Sequence, residues 1–156
     1  MQKKTSFTLQ EAQKKLEYYC AYQERCHWEV EQKLKDLQMI PEAQEVIISK
    51  LIEENYLNES RFAQSFARGK FNIKKWGKLR IVNELKARKI SEYNIKLALK
   101  EISDEAYQSA FYSLFEKRKK AVSGYSIPIQ KKKILAYMVY RGWENHLIYT
   151  ALNENF

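Results

Sequence analysis

His27 and His146 are the only imidazoles of this chain and Cys20 and Cys26 its only thiols, so acid–base, nucleophilic and metal chemistry have few places to start. Cys20, Cys26 and His27 lie close in sequence but lack the CxxC pairing of a zinc site. On one continuous helix the two cysteines would fall well apart around the axis, so no metal is expected. No GxxxxGK phosphate loop, GxGxxG or GxSxG occurs, which removes support for nucleotide and acyl-transfer enzymes. The acidic pairs Glu53-Glu54 and Asp104-Glu105 fall near expected helix ends, where capping and solvation account for them. The chain reads as a non-enzyme with no cofactor. What remains is binding chemistry, concentrated in "FNIKKWGKLRIVNEL", residues 71–85, where Lys74, Lys75, Lys78 and Arg80 surround Trp76 and Gly77.

Charge placement supports that focus. The formal net charge is +9, but residues 1–60 carry 8 basic and 11 acidic side chains, residues 61–100 carry 12 and 2, and residues 101–156 carry 8 and 6. The excess therefore sits in the middle of the chain and implies either a phosphate backbone or an acidic protein partner. Lys117 to Lys120 and Lys131 to Lys133 read either as solvated helix ends or as an extension of that surface. No run approaches 18 apolar residues, so no membrane contact is expected. "MQKKTSFTLQEAQ" has lysines but no apolar core of a secretory signal. With both thiols read as reduced, the expected compartment is the cytoplasm.

Only four glycines and two prolines argue against sandwiches and barrels and for an all-α chain with short connections. Helix starts recur. Asn58 can cap a helix, with Leu57 stapled to Phe62; Ser91 does the same with Ile90 and Ile95, and Ser103 with Ile102 and Tyr107. "TLQE" at 8–11 has capping-box spacing. Segments led by Val30, Ile81 and Ile134 superpose, each with a second apolar residue at i+4 (Leu34, Leu85, Met138), then a turn and another apolar helix. The leads are 51 and 53 residues apart, and a further helix precedes each. Nine helices in three tandem three-helix units are expected: 1–57, a central basic unit at 58–102, and 103–156. Units of this size have little core alone, so they should pack end to end into an elongated or curved monomer.

Within the central unit, Phe62, Ala63 and Phe66 share the core side of one helix and Arg61, Gln64 and Arg68 the other. In the next helix Ile81, Val82 and Leu85 face inward, while Arg80 and Asn83 point away. The loop cations between them gather at a helix N-terminus whose free N–H groups favour anions, and Gly77 supplies unusual backbone freedom. Phe71 and Ile73 read as structural. Trp76 reads equally as a packing residue or as a base-stacking, partner-docking one. The binding surface expected from these residues is Arg61, Arg68, Lys70, Lys74, Lys75, Trp76, Lys78 and Arg80. On the residues alone it would bind nucleic acid weakly and without sequence preference, or an acidic protein partner, since Arg80 and Asn83 are too few for base readout.

"YLNESRFAQSFARGKFNIKKWGKLRIVNELKARKIS" resembles the RecX family of bacterial recombination regulators. Arg61-Phe62-Ala63, Gly77, Arg80-Ile81, Glu84-Leu85 and Ile90 occupy the positions of that family's signature over residues 56–91. The outer units match by pattern only. Asn58-Glu59 stands where acidic pairs are usual and Lys89 where glycine is usual, which bears on turn geometry rather than on the basic cluster. The resemblance implies a non-enzymatic regulator that lodges in the groove of a RecA–single-stranded-DNA filament. Such a regulator suppresses filament growth, ATP hydrolysis, strand exchange and RecA's coprotease role in the SOS response.

Overall fold

The computed structural model describes residues 6–156, and among them there are nine α-helices and no strand. Residues 1–5, which open both the expected first unit and the stretch read for an export signal, lie outside the described residues. The helices are α1 (Leu9–Tyr22), α2 (His27–Asp36), α3 (Pro41–Glu53), α4 (Glu59–Asn72), α5 (Lys78–Ala87), α6 (Glu92–Leu99), α7 (Asp104–Ala121), α8 (Ile127–Tyr140) and α9 (Asn145–Asn155). Their extensive contacts run within the triplets α1–α3, α4–α6 and α7–α9.

Local chemistry sets the helix starts. Asn58 accepts from the N–H of Arg61, Ser91 from Asn94 and Ser103 from Ala106, while Thr8 and Glu11 close a reciprocal capping box. Both prolines, Pro41 and Pro128, sit in first turns, where a missing N–H costs no helical bond. Each second helix buries its expected pair completely: Val30 and Leu34, Ile81 and Leu85, Ile134 and Met138. Each first helix buries a stripe at four-residue intervals: Ala12, Leu16 and Cys20; Ala63, Ala67 and Phe71; Tyr107, Phe111 and Phe115.

The turn after each second helix is built the same way. Gln38, Lys89 and Gly142 all have positive φ (59°, 61° and 91°). The next N–H in each case, of Met39, Ile90 or Trp143, returns to the carbonyl of the buried Leu34, Leu85 or Met138. Lys89 thus holds the left-handed turn without the glycine usual there.

Three expectations need correction. The units do not pack evenly end to end. Ala12, Leu16, Cys20, Val30, Leu34, Ile47, Leu51 and Leu57 form one core, whereas the second and third triplets share a single larger one, which Cys26 at the start of α2 also enters. The two cysteines do not lie on one helix. α1 ends at Tyr22, and Cys26 precedes α2, its N–H donating to the Glu29 carboxylate at 3.2 Å. Ile73 is not structural. It follows the last turn of α4 and is 78% exposed, because the core stripe ends at Phe71. The chain's accessible surface, 10157 Å², exceeds the roughly 8,300 Å² expected of a compact 18.7 kDa monomer, as a row of small units would give.

Candidate functional site

α5 begins where the third triplet meets the second. The N–H groups of Gly77 and Leu79 donate to the carbonyls of Arg141 (2.8 Å) and Gly142 (3.0 Å), and the N–H of Lys78 donates to the Tyr107 hydroxyl (2.9 Å). This helix N-terminus is therefore capped from another unit and offers no open anion cradle. That corrects the expectation from sequence, which had no means to see acceptors some 30 to 60 residues away. In return, the Arg141 guanidinium donates to the Lys74 carbonyl at 2.8 Å, and the Trp143 indole N–H to the Lys75 carbonyl at 3.2 Å. Gly77 is needed for space rather than for backbone freedom. Its φ of −76° is ordinary, but a Cβ there would stand 2.3 Å from the Gly142 oxygen. A Cβ on Gly142 would stand 2.2 Å from the Arg80 Cβ.

Under this joint the rings form a column. Phe71 packs on Tyr107, Tyr107 stacks on Trp143 with centroids 4.5 Å apart, and Trp143 meets Phe111 edge-on. The Tyr107 hydroxyl also donates to the Glu144 carboxylate. Burial, and secondarily that carboxylate, hold the phenol well above its ordinary range. A buried phenol with donor and acceptor both satisfied is a structural pin.

Above the joint, cations and rings alternate across the second and third triplets. Arg88 lies over Phe66 (4.9 Å), Lys70 over Phe66 and Trp76 (5.5 and 5.0 Å), and Arg80 over Trp76 and Tyr140 (4.2 and 4.8 Å). Phe66 and Trp76 meet edge to face. Trp76 is half-buried against the core, so its packing role is real, with one edge left among cations. Arg80 does not simply point away; it is half-buried between two rings and donates to the Tyr140 carbonyl. Asn83 is exposed.

The residues predicted from sequence are thus divided. Lys70, Trp76 and Arg80 stand in the ladder, and exposed Lys74 shares a shallow hollow with Phe66 and Lys70 beside it. Exposed Lys75 borders a different groove, facing Lys117 across Ser109 and Ser113 of α7. Lys78 lies over the Tyr107 ring at 4.5 Å, with Asp104 at 3.9 Å. Arg68 is half-exposed beside Glu101 at 3.4 Å. Arg61 stands apart from all of these. Its guanidinium pairs with Glu24 at 2.6 Å and donates to Asn55 and to the Tyr56 carbonyl, tying the first triplet to the second. Phe66, Arg88 and Tyr140 were not singled out as contact residues. Helical spacing places Phe66 on the core side of α4, but nothing local could place Arg88 over its ring or Tyr140 beside Arg80.

Fold and site together define a class: a tandem array of three-helix units carrying a cation-and-ring face over its second joint. Residues 58–99 match the family model of the RecX second three-helix domain. Over 136 residues, 87% of this chain, it is 27% identical to the regulatory protein RecX of Bacillus cytotoxicus and 26% identical to that of Bacillus mycoides. The chain spans about half the length (50%) of these curated relatives. The crystal structure of RecX from Lactobacillus salivarius superposes with a TM-score of 0.80 at 26% identity, over 94% of this chain and 95% of that one. A second crystal structure, of a regulatory protein RecX, gives 0.83 at 21% identity over 94% and 73%. The chain is RecX-like in sequence and in fold.

Proposed function

We propose that this chain is a regulatory protein that binds a RecA–single-stranded-DNA filament through the face of its central unit, 58–102, with the outer units 1–57 and 103–156 setting its reach. By occupying the filament it restrains filament growth, ATP hydrolysis, strand exchange and the coprotease role of RecA, and so modulates DNA repair and the SOS response. It would act as a cytoplasmic monomer that grips single-stranded DNA and, more weakly, duplex DNA. The observation that carries this reading is the ladder from Arg88 to Tyr140, which sets charge and ring faces side by side on a RecX-like scaffold. Lysine and arginine there suit phosphate, ring edges suit bases or partner side chains, and little in the ladder reads a sequence.

Lys74→Glu with Lys75→Glu is the cleanest test, because both side chains are exposed and only their carbonyls serve the joint. Lys78 is less suitable, since it also covers Tyr107. The folded double variant should lose most of its inhibition of RecA ATP hydrolysis in a titration. Inhibition equal to wild type at equal concentration would reject the central face as the grip. The alternative reading is a helical protein that binds nucleic acid without regard to sequence or to RecA. Co-sedimentation with the filament compared with DNA alone separates the two: binding confined to DNA favours the alternative.

A further inference from the structure

The first triplet carries a cleft of about 580 Å³ that the central face does not reach. Its walls are Lys14, Lys15, Tyr18 and Tyr22 of α1, with Arg25 and Lys33 opposite, and no carboxylate lines it. The floor is Tyr19. The Arg25 guanidinium lies 3.8 Å above that ring, donates to the Tyr19 carbonyl at 3.0 Å and is held by Glu29 at 3.7 Å; Lys33 approaches the same ring at 5.6 Å. Arg25 is thereby fixed and mostly buried, a built cation rather than a waving one. Tyr18 and Tyr22, by contrast, are 74% and 73% exposed.

We infer that this cleft is a second binding site, for a single strand of nucleic acid. Three lysines in a cleft that no carboxylate lines, beside an arginine shared with Glu29, ask for a polyanion. An acidic peptide would satisfy them but would leave two large bare rings with nothing to do. Tyr18 and Tyr22 are one helical turn apart, a rise of about 6 Å. That is wider than the 3.4 Å between stacked bases, and it suits a strand whose bases are splayed onto separate rings. The phosphates then lie along Lys14, Lys15 and Lys33, with Arg25 at the cleft's end. The site needs no RecA, and it lies in the segment whose overall charge is negative, so it is independent of the central face.

The test uses the whole chain in the Lys74→Glu, Lys75→Glu background, which weakens the central face, and a fluorescently labelled oligothymidylate. Tyr18→Ala with Tyr22→Ala should weaken binding about tenfold or more, since each stacked base contributes severalfold. Tyr18→Phe with Tyr22→Phe should retain wild-type affinity. Lys14→Gln with Lys15→Gln should flatten the slope of log affinity against log salt by about 1.4, two phosphate contacts' worth. An oligonucleotide carrying 5-iodouracil should photocrosslink to Tyr18 or Tyr22. Unchanged affinity in the alanine variant would overturn the site. So would crosslinks found only elsewhere. Equal binding of an abasic strand, or its displacement from the cleft by polyglutamate as readily as by oligothymidylate, would make it a general anion or acidic-peptide site instead. Each readout is taken without RecA, so its failure leaves the ATP-hydrolysis test of the central face standing.

Discussion

Arg61 and the buried Cys26 tie the first triplet to the second, whereas the second is tied to the third by a column of rings and a set of crossing hydrogen bonds. The cores differ in the same sense. The first is aliphatic, built on Leu16, Leu34, Ile47 and Leu51, and closes on itself. The other continues from Phe62 through Trp143 to Leu152. Apolar burial and ring contacts couple two units far more tightly than a partly exposed ion pair, which gives back most of its attraction to water and salt. The molecule is therefore two mechanical bodies rather than three, with the ladder on the rigid one and the tyrosine cleft on the other.

The sharpest way to break this comparison is a pair of core truncations. Trp143→Ala should cost about 3–5 kcal/mol and loosen α4 to α9 together, while Leu34→Ala should cost about 2–5 kcal/mol and release only α1 to α3. Hydrogen exchange read helix by helix decides; if Leu34→Ala also exposes α7 to α9, the two bodies are one. Gly77→Ala addresses the joint itself and should destabilise by about 3 kcal/mol, because its Cβ meets backbone that has no side chain to move aside.

Alkaline pH compares the two cores through their thiols. Burial pushes both Cys20 and Cys26 up to about 11, from an ordinary value of 9.0. Unfolded thiols lose protons from pH 9, whereas folded ones keep them to about 11. Stability is thus full below 9 and falls between 9 and 11, by on the order of 2 kcal/mol per thiol. Cys20→Ala should lessen this sensitivity in the first triplet and Cys26→Ala in the larger body, the loss that remains above pH 10 coming from the raised Tyr19 and Tyr107 phenols, as seen in alkaline melts followed by exchange. Arg61→Met should cost about 1–2 kcal/mol. It should raise exchange in α1 to α3 alone; raised exchange in α7 would mean that Arg61 supports the whole chain.

The smallest expected effects are gains. Lys89→Gly and Gln38→Gly each remove a side chain from a left-handed turn and should stabilise their own body by about 0.5–1 kcal/mol. Melting temperatures of the two variants measure how far each body resists alone.

What could be read without coordinates was local. Asn58, Ser91 and Ser103 cap within three residues of themselves, and the buried pairs led by Val30, Ile81 and Ile134 repeat at helical spacing, so short-range geometry was enough. What could not be read was anything closed by distant residues. Gly77 read as a point of backbone freedom because its partner Gly142 is invisible to any local window. Ile73 read as structural because periodicity gives no sign of where a core ends. Summing charge along the chain also hid the cleft. The first 60 residues are net acidic, yet Lys14, Lys15, Arg25 and Lys33 gather on one side once α1 and α2 are paired.

The cap on α5 has a consequence in time. Its acceptors at Arg141 and Gly142 are made more than 60 residues after Gly77, so during synthesis the central unit exists for a while with that helix start open to water. Contacts of such separation form late, after their loop has been closed against chain entropy. Refolding should then show an early phase in which α4 and α6 gain protection and a slower one in which α5, α8 and Trp143 gain it together. Until that second phase ends, the nascent chain carries its future joint as an exposed strip of rings, the stretch on which a chaperone would first take hold.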